Sequence, residues 1–190
     1  MVRCLAGNSY GGTAYINEGG IAISNEKALG TAAAGTIVAS GATLILNGSF
    51  TVANEALTLS GSGYGSGALT NNHSQSVWGG SVTLAADTMI GASGATQGLS
   101  LTGAVDSGGH ALTFNISSDA SGLISGVLSG SGALTKAGAG TLTLSGANSF
   151  TGATPILGGT LLMGAHNALF AAPTVHFSDG TSGPPGFPPN

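Results

Sequence analysis

Short apolar strands separated by Gly, Asn and Ser turns recur along almost the whole chain, and in places the recurrence is literal. Gly65-Ser66-Gly67-Ala68-Leu69-Thr70 returns unchanged at Gly130-Ser131-Gly132-Ala133-Leu134-Thr135. Asn8-Ser9-Tyr10 through Ala28-Leu29-Gly30 is echoed by Asn148-Ser149-Phe150 through Ala168-Leu169-Phe170, an offset of 140 residues, from 8 to 148. Reuse of one string along a chain is the signature of stacked, equivalent units.

The local pattern identifies the unit as β. Apolar and polar residues alternate at Thr43-Leu44-Ile45-Leu46, Leu57-Thr58-Leu59, Val82-Thr83-Leu84, Leu99-Ser100-Leu101, Leu112-Thr113-Phe114 and Leu142-Thr143-Leu144. A period of two puts Leu on one face of a strand and Thr on the other. The runs end in Leu46-Asn47-Gly48, Leu59-Ser60-Gly61, Leu101-Thr102-Gly103 and Leu144-Ser145-Gly146, residues suited to sharp turns. Glu26-Lys27-Ala28-Leu29 and Ala32-Ala33-Ala34 are too short to hold a helix. An antiparallel sandwich or barrel also uses many short strands, but it does not require copied sequence. The expected fold is therefore all-β, a right-handed parallel β-helix, or β-solenoid. With about 20 residues per coil it would have roughly nine coils and a length of about 45 Å.

Composition narrows the function classes. The chain has 190 residues and 42% hydrophobic content, enough for one core, yet only 5% of its residues are charged. An ordinary soluble domain carries about a quarter, so solubility must come from Ser, Thr, Asn and backbone groups. Arg3, Lys27 and Lys136 form no basic stripe and the net charge is -4, which argues against a nucleic-acid partner. No apolar run reaches the roughly 18 residues of a membrane helix. Cys4 has no second cysteine to pair with, a usage that suits either the cytosol or passage through an oxidising periplasm. Met1 to Gly7 lacks the apolar region of a signal peptide. The expected organisation is a leader or cap at 1–7, a solenoid at 8–178 and a Pro/Gly-rich tail at 179–190, where proline cannot donate to a ladder.

The stretch Gly132-Ala133-Leu134-Thr135-Lys136-Ala137-Gly138-Ala139-Gly140-Thr141-Leu142-Thr143-Leu144-Ser145-Gly146-Ala147-Asn148-Ser149-Phe150-Thr151-Gly152-Ala153-Thr154, followed by Gly159-Thr160-Leu161, resembles the autotransporter-associated β-strand repeat. Asn8 to Gly30 resembles a degraded copy, with Gly11-Gly12-Thr13 and Gly19-Gly20 at equivalent places, and the likeness extends over most of residues 8 to 170. The resemblance implies a bacterial surface passenger, a parallel β-helix exported through an outer-membrane barrel and serving as adhesin or stalk. It implies no catalytic residues and no cofactor. The chain shows no barrel of its own, so the resemblance implies a passenger fragment or an orphan gene piece whose parent chain would carry the barrel.

Few constellations suggest chemistry. Gly7-Asn8-Ser9-Tyr10-Gly11 spells G-x-S-x-G, with Asp119 and His166 following in hydrolase order, but no strand precedes it and no helix follows. Gly63-Tyr64-Gly65-Ser66-Gly67-Ala68 imitates a dinucleotide loop, yet Thr70-Asn71-Asn72 cannot open the required helix. Glu18, Glu26, Glu55, Asp87, Asp106, Asp119 and Asp179 are spread without a paired-acid motif. Asp87 and Asp106 would share a face if coils hold about 20 residues, forming a calcium or sugar site. This is the basis of the main alternative, a polysaccharide lyase or hydrolase. His73, His110, His166 and His176 lack metal-ligand spacing. Trp78 and Tyr64 suit either packing or stacking on sugars. Asn47, Asn72 and Asn115 begin glycosylation triplets that read better as turn residues. Thr58, Thr83, Thr113 and Thr143 raise a lesser alternative, an ice-binding threonine ladder. The expectation is a non-catalytic surface segment at the bacterial outer membrane, with no metal and no cofactor. Host cells, glycans or self-association are its candidate partners.

Overall fold

The computed structural model describes residues 1–72, 75–93, 98–166 and 168–169, with the backbone of Val175–Phe177 beyond them. Every strand pairing is parallel, and no helix occurs among the described residues. The expected β-solenoid is what forms.

Each complete turn carries three strand positions. One ladder stacks Val2–Cys4, Gly20–Ile23, Thr43–Leu46, Leu69–Asn71, the end of Val82–Ala92, Leu112–Ile116, Leu134–Ala137 and Thr154–Ile156, ending at Val175–Phe177. A second stacks Ala14–Ile16, Thr36–Val38, Leu57–Gly61, the start of Val82–Ala92, Val105–Asp106 and Leu128–Ser129. The continuous strand Val82–Ala92 joins these two into one sheet, turning the corner where its register shifts between Leu84 and Thr88. The third ladder is a separate sheet of Thr51–Val52, Ser76–Trp78, Gly98–Leu101, Ser121–Ile124, Thr141–Leu144 and Thr160–Met163.

The stack makes about seven turns, counted as the steps of the first ladder from Val2–Cys4 to Thr154–Ile156, rather than roughly nine. The seven steps run from Val2 to Ile156 at a mean of 22 residues each, (156 − 2)/7, whereas the expectation spread about 20 residues per coil over all 190 residues, and the turns also vary in length. Val2 pairs with Ile21, a turn of 19 residues (2 to 21), whereas Leu44 pairs with Leu69, a turn of 25 (44 to 69). Corners absorb the surplus while strand parity is kept. Parity also explains the copied hexapeptide. Leu69 stands in the column of Ile90 and Phe114, while Leu134 stands on Leu112, two positions earlier. A slip of two leaves every side chain on its own face, whereas a slip of one would turn all of them inside out.

The interior is filled by columns of like residues. Leu44, Leu69, Ile90 and Phe114 lie one above another, all fully buried. Val38, Leu59 and Leu84 fill the second face. Trp78, Leu101, Ile124 and Leu144 fill the third. Each such aliphatic side chain contributes about 1.5–3 kcal/mol by leaving water.

The long sequence echo reappears as a repeated bond. Asn8 Nδ2 donates to the Ala28 carbonyl at 2.7 Å, and Asn148 Nδ2 donates to the Ala168 carbonyl at 2.8 Å, each 20 residues further on. Asn148 also accepts the Leu128 amide at 2.8 Å, so one buried side chain ties three successive turns together. Asn148→Ala should therefore lower stability by about 2–4 kcal/mol, since it leaves a buried amide and a buried carbonyl unpaired. Asn8→Ala, losing one part-buried bond, should cost about 1 kcal/mol. Chemical unfolding of the two variants side by side measures the difference.

Candidate functional site

The residues singled out from sequence are mostly not gathered by the fold. Ser9, Asp119 and His166 are exposed on turns several rungs apart, each rung adding about 4.8 Å. Asp106 is in register with Thr83, whereas Asp87 accepts the Ala111 amide at 2.8 Å, so the two acids stand in different columns. Asp106 instead caps its own turn, accepting the Gly108 amide at 2.9 Å. Asp87 lies 3.9 Å from His110 Nδ1, with both side chains well exposed. Among the described residues no cluster of three or more His, Cys, Asp or Glu is placed to hold a metal.

Trp78 is fully buried, its indole N–H without a hydrogen-bond partner, while Tyr64 is exposed at a corner beside Gly19 and Gly20. The glycine loop around Tyr64 leads into strand Leu69–Asn71. Thr58 and Thr83 pair on the second face, Thr113 lies on the first and Thr143 on the third. Asn47 and Asn115 are half-buried, and Asn47 Nδ2 donates to Ser24 Oγ at 3.4 Å. His73, Ser74, Phe170, Asp179 and the proline-rich segment lie outside the described residues, and of His176 only the backbone is described.

Of the recesses among the described residues, one beside Asp87 is lined by Ser62, Thr88 and Thr113, and another lies where the third sheet ends. That sheet starts at Thr51–Val52, although the first ladder already starts at Val2–Cys4. In the turn below, between Gly20–Ile23 and Thr36–Val38, the third position is taken by a compact turn, closed by Ala28 N–H to the Asn25 carbonyl and Gly30 N–H to the Lys27 carbonyl. The missing strand leaves a cavity of ≈ 480 Å³ whose walls include Ser9, Glu26, Lys27, Ala32, Asn54 and Glu55. Its two acids, Glu26 and Glu55, are brought together from 29 residues apart (26 to 55).

Glu55 is the unusual member. Only 4% of it is exposed, and its Oε1 accepts the Thr36 hydroxyl at 2.8 Å. A glycine column runs upward from it: a Cβ at Gly80 would strike the Glu55 backbone, one at Gly103 the Gly80 carbonyl, one at Gly126 the Gly103 carbonyl and one at Gly146 the Gly126 carbonyl. Glu55 thus stands at the first rung of a column that is otherwise glycine, and at that rung the neighbouring third sheet ends. Burial raises the Glu55 pKa, an effect that the Thr36 hydrogen bond opposes. Tyr10, whose ring lies against Gly30 at the edge of the cavity, is raised by burial first, then by the charges of Glu55 and Cys4. Sequence spacing concealed this site because Glu55 has no motif around it. The available signal was the lone acid aligned with Gly80, Gly103, Gly126 and Gly146.

The raised Glu55 pKa has a definite thermodynamic sign. From the ordinary value of 4.5 upward to the raised one, the folded chain holds more protons than the unfolded chain, so stability falls as pH rises through that window. Thermal unfolding across that range should show wild type losing ground to Glu55→Gln as pH increases. A pH-independent difference between the two would contradict the assignment.

No helix among the described residues is long and apolar enough to cross a membrane. No curated protein and no solved structure matches the chain. Residues 134–163 match the passenger-associated-transport-repeat family. In the fold this segment runs from one first-ladder strand, Leu134–Ala137, to the next, Thr154–Ile156, and on through Thr160–Met163, slightly more than one turn. The matched repeat is thus a single rung of the solenoid, and with the fold it fits an autotransporter passenger segment.

Proposed function

We propose that the chain is a non-catalytic structural and adhesive segment of a bacterial surface protein, displayed outside the outer membrane as part of a passenger. The observation that supports this most is the passenger repeat occupying one rung of a regular stack. Hydrogen bonds between successive turns stiffen such a stack along its axis, and its outward Ser, Thr and Asn side chains offer many weak polar contacts. Host cells, glycans and other copies of the chain are the partners this surface suits.

A polysaccharide-acting enzyme is the second reading, favoured by Glu26 and Glu55 sharing one cavity, since paired carboxyl groups are the machinery of glycoside cleavage. The purified chain, presented to cells and to a polysaccharide panel with released sugar assayed in parallel, separates the two. The adhesive reading expects saturable binding without sugar release, retained in Asp87→Ala and Asp106→Ala. Released reducing ends that disappear in Glu55→Gln would replace it with the enzymatic reading.

A further inference from the structure

We propose that the cavity beneath Glu55 is a saccharide-binding site that takes one neutral pyranose unit, with Glu55 and Asn54 holding hydroxyl groups and Val52, Ala53 and Ala32 meeting the ring's C–H face. The inference deepens the adhesive reading and rests on it.

Size and chemistry both lead there. A volume of ≈ 480 Å³ lies within the range of about 300–1,000 Å³ usual for small-molecule sites. The walls mix acceptors, in Glu26 and Glu55, with donors, in Ser9, Lys27 and Asn54, around a small apolar patch. A pyranose presents the complementary arrangement, hydroxyl groups around its rim and C–H bonds on its faces. Glu55 is a built element of the wall, not a wandering surface acid, because its carboxyl is buried and pinned through Oε1 to Thr36. Its second oxygen, Oε2, is the acceptor assigned to a sugar hydroxyl. The ring of Tyr10 packs against Gly30, itself a wall residue.

Other ligand classes fit less well. A divalent cation of the calcium type wants 6–8 oxygen ligands, and here two carboxylates share the cavity with the Lys27 ammonium. An anionic ligand would meet those same two carboxylates. An extended peptide adding to the sheet edge needs a run of ladder bonds, and the end strand Thr51–Val52 is two residues long.

The test is calorimetric titration of the 190-residue chain with glucose, galactose, N-acetylglucosamine and their β-linked oligomers. Ala32→Trp, at an exposed turn position, fills the cavity without touching the core, and Glu55→Ala removes the pinned acceptor. Circular dichroism confirms that each variant is folded, and Asp87→Ala is the control. One of these sugars should bind, and each variant should weaken it by about tenfold or more, Glu55→Ala through the loss of one or two good hydrogen bonds and Ala32→Trp by occupying the space of the ring. Sugar binding unchanged by both variants overturns the site. Adhesion to cells without binding of any of these sugars overturns the site and leaves the adhesive reading standing. Neither adhesion nor sugar binding overturns both.

Discussion

Gly103→Ala should lower the stability of the chain by about 3 kcal/mol or more. A Cβ at this position would meet the Gly80 and Gly79 carbonyl groups of the preceding turn, all of it backbone that cannot swing aside. The clash is set by the rise of the solenoid. Adjacent strands lie about 4.8 Å apart, and at this corner the chain of one turn lies directly on the chain of the last. Gly126 meets Gly103 in the same way, and Gly146 meets Gly126, so the penalty should recur at each rung. Gly12→Ala is the internal control. Nothing lies within 4 Å of a Cβ there and its φ is not positive, so alanine should be neutral or stabilise by a few tenths of a kcal/mol. Urea unfolding of the two variants beside wild type reads the contrast, and equal effects at Gly12 and Gly103 would refute the stacked column.

Lys136 carries the second large effect. It occupies the column of Leu44, Leu69, Ile90 and Phe114, directly above Phe114, and is fully buried. Its Nζ donates to the carbonyls of Ala137 at 2.6 Å, Gly138 at 2.7 Å and Gly158 at 3.1 Å. The first two belong to its own turn and the third to the next, so one ammonium group fastens two rungs together at a glycine-rich corner. Lys136→Ala should cost about 3–5 kcal/mol, combining a cavity with unpaired carbonyl groups. Lys136→Met keeps most of the volume and should cost about 1–3 kcal/mol. Burial lowers the lysine's pKa from 10.5, and between the lowered value and 10.5 the unfolded chain binds more protons. Wild-type stability should therefore rise with pH through that window relative to Lys136→Met. A parallel pH dependence of the two proteins would contradict the burial of the ammonium.

Much of the fold was legible because the solenoid imposes its period on the sequence. Leu57-Thr58-Leu59, Val82-Thr83-Leu84 and Leu142-Thr143-Leu144 are strands with Leu inward, as alternation predicts, and the Asn8 and Asn148 segments repeat one hydrogen bond because they repeat one sequence. The number of turns was less legible. Corner length is not encoded by strand alternation, and an insertion at a corner leaves the strands unchanged. Lys136 was hidden for a related reason. Its inward position follows from Leu134-Thr135-Lys136 alternation, but a lysine ordinarily signals the solvent face, and only the surrounding carbonyls make burial tolerable. The cavity was the least legible feature, since it arises from the strand that the third sheet lacks below Thr51–Val52 and not from any motif.

The central claim, a rigid stack of parallel turns in register, is tested most directly by spin-label distances along one outward column. Tyr15, Ile37, Thr58, Thr83, Asp106 and Ser129 pair in succession on the second face. Labels at Tyr15 and Asp106, in a chain with Cys4 replaced by serine, are four rungs apart, and labels at Tyr15 and Ser129 are five. The stack predicts narrow distributions centred near about 19 Å and about 24 Å, differing by one rise. Broad distributions, or two distances without that increment, would contradict it.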